Sequence, residues 1–156
     1  QYATLGDRPT AADFGIGITQ IGADVYVSDG VSWVQLSSVD VAGSPYDIGI
    51  YHDGVTTANE VVLGFASVRD VTLPASLTGS VFIADVAATA ETVFTLKHGV
   101  TTIGTATFAA AGTVATFSFA AEVVIAATEK FDTIAPATPD ATLANLRLTY
   151  KATRGA

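Results

Sequence analysis

A chain of 156 residues is long enough to bury a sizeable core in one domain, or in one domain with a small appendage. Its net charge of −8 leaves no cluster of Lys and Arg, which excludes binding to a phosphate backbone, and the absence of Cys excludes disulfides and thiolate metal sites. With 49% hydrophobic but only 14% charged residues, the surface carries few charges to keep a monomer soluble; either another subunit covers part of it, or Thr and Ser keep it soluble without charge.

The chain contains no Met, so it reads as processed or as a piece of something longer, and residues 1–10 show no basic and apolar leader. The acids are uneven. Eight of them and one base lie before Arg69, whereas the remainder has seven acids and six bases. In the first segment an apolar run, Ile16–Ile21, precedes two β-rich runs, Val25–Val27 and Ser32–Leu36. These flank Asp29-Gly30, a pair suited to a tight hairpin turn. So small a segment buries little alone and is expected to pack on the main domain or on copies of itself. Residues 1–43 are read as a small N-terminal β unit for attachment or oligomerisation, with the join near 37–44, and residues 44–156 as a separate domain.

Strand-like runs then follow one another to the end. They are expected near 46–51, 60–65, 68–73, 80–86, 92–97, 102–108, 113–119, 122–126, 131–135 and 143–151. Turn signals separate them at Asp53-Gly54, Pro74, Gly79, His98-Gly99, Gly112, Pro136 and Pro139. The uncharged run GVTTIGTATFAAAGTVATFSFAA, residues 99–121, is long enough for a membrane span. Its ends alternate with a period of two, however, and Gly interrupts it, so it reads as two half-buried strands around residues 109–112. The last run is the clearest, with Leu146, Leu148 and Tyr150 on one face and Arg147, Thr149 and Lys151 on the other. No helix is expected. The fold class is all-β: a short N-terminal β unit followed by an antiparallel, jelly-roll-like β-sandwich.

No nucleophile–base pattern, zinc-protease motif or phosphate loop occurs, and the reading is non-enzymatic, with no cofactor, metal or catalytic residue assigned. His52 in YHDG and His98 in KHGV are expected as exposed turn residues. Asp47, Asp53 and Glu60, or Asp132 and Asp140, bracket loops that calcium would suit, but solvated acidic loops explain them without an Asp-rich motif. Tyr2, Tyr26, Trp33, Tyr46 and Tyr51 offer aromatic faces for sugar rings, although Trp33 is better read as packing the small unit onto its neighbour. The stretch PYDIGIYHDGVTTANE combines Tyr46, Tyr51, His52, Asp53, Asn59 and Glu60, a mixture that suits a neutral or basic sugar. Set against this, both Tyr residues fit strands packed in the core, beside a solvated Asp-Gly turn.

Three segments carry a resemblance: TLPA, residues 72–75; TVFTLKHGVTTIGTATF, residues 92–108; and APATPDATLANLRLT, residues 135–149. They resemble a β-sandwich domain of phage fibres and phage-like particles. The stretch RPTAADFGIGITQIGADVYVSDGVSWVQL resembles short β units that often sit ahead of such domains in tail and head fibres. His98 and Glu129-Lys130 depart from the turn residues of that pattern. The resemblance implies a virion structural protein, a homotrimer assembled with other virion proteins. It further implies a fibre or spike exposed for contact with host-surface glycans, without membrane insertion. A capsid decoration or connector protein, or a carbohydrate-binding module of a secreted protein, are the alternatives.

Overall fold

The computed structural model describes residues 9, 10, 12, 16–21, 24–37 and 43–155. The chain divides into two compact units, Gln1–Val41 and Ala42–Ala156. Tyr2 and most of the expected join lie outside the described residues.

In the first unit, β1 (Ile16–Ile21), β2 (Asp24–Asp29) and β3 (Trp33–Ser37) form an antiparallel sheet in that order. The hairpin lies where the Asp-Gly pair predicts it, but its centre is one residue later, at Gly30-Val31. Gly30 takes a φ of 87°, a conformation that costs glycine little. Asp29 serves as the turn's acceptor instead: its Oδ1 takes the amides of Val31 at 2.8 Å and Ser32 at 2.7 Å. Those amide bonds hold its carboxyl below the ordinary range. Trp33 donates from Nε1 to the Pro9 carbonyl at 3.2 Å, a contact inside the small unit.

The second unit contains β4 (Ile48–Val55), β5 (Val61–Ala66), β6 (Val71–Leu73), β7 (Val81–Val86), β8 (Thr92–His98), β9 (Thr101–Phe108) and β10 (Ala115–Phe119). It continues through β11 (Val123–Ile125), β12 (Lys130–Ile134), β13 (Ala144–Tyr150) and β14 (Thr153–Arg154). A single 3-10 turn at Ala75–Leu77 is the one helical element between them. All ladders are antiparallel. They build a five-stranded sheet, β10-β9-β8-β12-β5, and two three-stranded sheets, β4-β13-β7 and β11-β6-β14. The architecture is all-β, an antiparallel sandwich with no closed barrel.

Alternation creates the core. Along β13, Leu146, Leu148 and Tyr150 are buried while Arg147 and Thr149 are exposed. Phe82 from β7 meets Phe94 and Phe108 of the five-stranded sheet edge-on, with ring centroids 5.0 and 4.9 Å away. Such rings each contribute roughly 1.5–3 kcal/mol by burial. Tyr150 crosses the same layer, and its hydroxyl meets Thr133 Oγ1 at 2.7 Å, which satisfies both buried groups. Burial pushes the Tyr150 phenol well above its ordinary pKa.

The uncharged run forms β9 and β10, joined through residues 109–114, with Ala106, Phe108, Ala115 and Phe119 buried. At Gly104 a Cβ would lie 2.6 Å from the Ser118 carbonyl oxygen and 2.8 Å from the Phe119 ring, so β10 approaches closely only because no side chain is there. No described helix is long and apolar enough to cross a membrane.

Candidate functional site

The six residues of the 45–60 stretch do not form one loop. β4 continues through Asp53-Gly54, expected as a turn, with a bulge in which the two residues lie opposite Asn145 alone. The reason lies on β13, where Asn145 adopts a φ of 58° and the register shifts between Ala144 and Leu146. Asn145 Oδ1 then accepts the Gly54 amide at 2.9 Å, replacing the ladder bond that the bulge interrupts. The strand is thereby extended to Val55, and the true turn falls at Thr57–Glu60. Strand alternation sends 51 and 53 to one face and 52 to the other.

On the outer face, Tyr51 is 51% exposed. Its hydroxyl donates to Asp53 Oδ1 at 3.1 Å, and Arg147, its cross-strand partner on β13, lies with its guanidinium carbon 5.1 Å from the ring centroid. Arg147 in turn pairs with Asp85 of β7. Partial desolvation, then the Asp53 carboxylate, raise the Tyr51 phenol above its usual pKa, so it remains a donor; Asp85 likewise raises the guanidinium. Gly49 and Thr149 pair in the next row, so the floor beside the ring carries only a Thr side chain. An aromatic plate ringed by two carboxylates, a guanidinium and a hydroxyl is able to stack on an apolar sugar face and hydrogen-bond its edge.

The inner face differs. His52 is opposite the buried Leu146, and its side chain is only 16% exposed. Its Nε2 meets Glu60 Oε1 at 2.9 Å; a carboxylate only accepts, so the imidazole donates there. Its Nδ1 is buried without a partner. Glu60 Oε2 accepts from the Thr57 amide at 2.6 Å and the Thr57 hydroxyl at 3.1 Å. The Thr57 amide first, and His52 second, lower the Glu60 pKa. His52 is thus not the exposed turn residue expected; its place on an alternating strand decided otherwise.

The remaining candidates scatter. Tyr46 is half-buried and packs against the core, as the core reading of the Tyr pair has it; for Tyr51 that reading fails. Asn59 occupies the 57–60 turn at a φ of 57°, with its amide on the Pro136 carbonyl at 3.1 Å and its side chain exposed. His98 ends β8 rather than lying in a loop, and its Nε2 meets Glu129 Oε2 at 2.8 Å. Among the described residues no group of three or more His, Asp or Glu is placed to hold a metal ion. Asp140 Oδ1 accepts from the Thr142 amide and hydroxyl and the Leu143 amide, and Oδ2 from the Thr89 amide and hydroxyl and the Ala90 amide. These bonds, the Thr142 hydroxyl foremost, hold its carboxyl far below the ordinary range. The DATL of the 135–149 segment is therefore a clasp between the loops that follow β7 and precede β13.

No family model, curated protein or solved structure matches the chain. Two residues of the outer-face cluster, Asp85 and Arg147, escaped the sequence reading. Alternation marks both as outward, but nothing in the sequence says that β7 and β4 flank β13.

Proposed function

We propose that this protein is a non-enzymatic virion component, a fibre or spike of a tailed phage or phage-like particle, and that it attaches the particle to host-surface glycans. The observation that supports attachment is the exposed Tyr51 ring, held between Arg147 and Asp53 on the outer face of β4-β13-β7. A ring with hydrogen-bonding groups at its edge is able to stack on the apolar face of a sugar while those groups meet its hydroxyls. The cluster holds two carboxylates against one guanidinium, which favours neutral or basic sugars over acidic ones. The segments that resemble phage-fibre sandwich domains support the virion setting and a homotrimeric assembly.

A glycan array probed with the intact protein tests the reading. Binding is expected to neutral or amino sugars, to vanish in Tyr51→Ala, and to persist in His52→Ala, whose side chain faces the other way. Absence of binding by the unmodified protein would favour a decoration or connector role. Light scattering showing a monomer at micromolar concentration would overturn the trimer.

A further inference from the structure

The sheet β11-β6-β14 carries a second concave surface. Thr72, on the central strand, is flanked by Val124 and Thr153 in one cross-strand row facing outward, while Val71, Leu73 and Ile125 face the core. Around Thr72 and Thr153 lies an open cleft of about 350 Å³, with Pro74, Thr78 and Ala152 completing its lining. That volume is at the small end of the range for ligand pockets.

Two charges face this cleft, Lys151 and Glu122. Neither is paired with another described side chain, and they do not pair with each other. The position of Lys151 is set by its neighbours. Its amide donates to Ser80 Oγ at 3.0 Å, and its stem lies over Gly79, where a Cβ would be 2.7 Å from the Lys151 Cδ. Both side chains are exposed, so both charged groups are open to a ligand in the cleft.

We infer that this cleft is a binding site for a small neutral saccharide. An anion would satisfy Lys151 and meet repulsion from Glu122, and a cation the reverse. A hydroxyl group both donates and accepts, so a polyol satisfies both walls and the Thr hydroxyls as well. Pro74 and the Thr methyl groups supply apolar contact for the C–H face of a ring. With no aromatic plate in the lining, binding is expected to be weak, in the millimolar range. The inference does not rest on the Tyr51 surface.

Amide chemical shifts of the ¹⁵N-labelled intact chain provide the test, with the methyl glycosides of glucose, galactose, mannose and N-acetylglucosamine as probes. Sodium acetate and methylammonium chloride serve as single-charge controls. At least one glycoside is expected to shift Thr72, Thr78, Ala152 and Thr153 saturably, and neither ion to do so. Glu122→Gln and Lys151→Met should each weaken binding about tenfold, the loss of one charge-assisted hydrogen bond. Tyr51→Ala should leave these shifts unchanged, so the two sites succeed or fail separately. The spectra themselves report whether each variant is folded. No saturable shift with any glycoside, equal shifts with either ion, or variants that bind like the unmodified chain would overturn the inference.

Discussion

Neighbouring residues of β4 do opposite things. Tyr51 and Asp53 face water on one side of the sheet, and their hydrogen bond costs nothing in burial. His52, between them, faces the core with one nitrogen on Glu60 and the other buried without a partner. A buried polar group that loses its partner costs far more than an exposed one, because water no longer replaces the missing bond. The inner face of β4 is therefore where side-chain chemistry governs stability, and the outer face is where it is available to a ligand. The pair His98–Glu129 offers a milder version of the inner arrangement. Its Glu side chain is 47% exposed, against 30% for Glu60, and one oxygen, Oε2, serves both the His98 ring and the Ala126 amide.

The largest expected effect is on the inner face. Glu60→Ala strands the His52 imidazole and removes both Thr57 bonds, and is expected to lower the unfolding free energy by about 1–3 kcal/mol in a urea titration. Glu129→Ala should cost less, because water reaches that pair. An equal or greater loss in Glu129→Ala would break the contrast drawn from burial.

Acid sharpens the same contrast. Hydrogen bonds lower the pKa of both carboxylates, Glu60 mainly through the Thr57 amide and Glu129 mainly through the Ala126 amide. A group whose native pKa is depressed adds stability that is complete above its unfolded value, here 4.5, and is lost as pH falls through the native value. Stability should therefore fall on acidification below about pH 5, and Glu60→Gln should flatten that limb more than Glu129→Gln. A limb unchanged in both variants would assign acid sensitivity to other carboxylates, Asp140 first among them.

The smallest effect on stability is expected on the outer face. Tyr51→Ala should leave the urea midpoint unchanged within error, since the ring is half in water and its partners stay solvated when it is gone. A clear loss of stability there would make the ring a packing residue and withdraw the main support for attachment.

The period-two runs of Thr, Val and Phe specified most strands of the second unit to within a few residues, and with them the all-β class. Alternation is a local property, fixed by the pleat, so it is legible without knowing any neighbour. For the same reason the two faces of β13 follow from its sequence whatever strands lie beside it. β14 was missed because Thr153–Arg154 is too short to alternate, and it is a strand only because β6 lies beside it. Asp53-Gly54 misled because a turn-forming pair is equally suited to a bulged strand, and only Asn145, far along the chain, decides between them. The same limit governed the site. Sequence proximity grouped Tyr46, Tyr51, His52, Asp53, Asn59 and Glu60, whereas the sheet separates them and joins Tyr51 and Asp53 to Arg147 and Asp85. The sequence by itself determined which residues alternate, where charge is scarce and, through the absence of Cys, that no disulfide or thiolate metal site forms. Tertiary structure alone decided which strands lie side by side, because cross-strand neighbours are set by packing between segments distant in the chain.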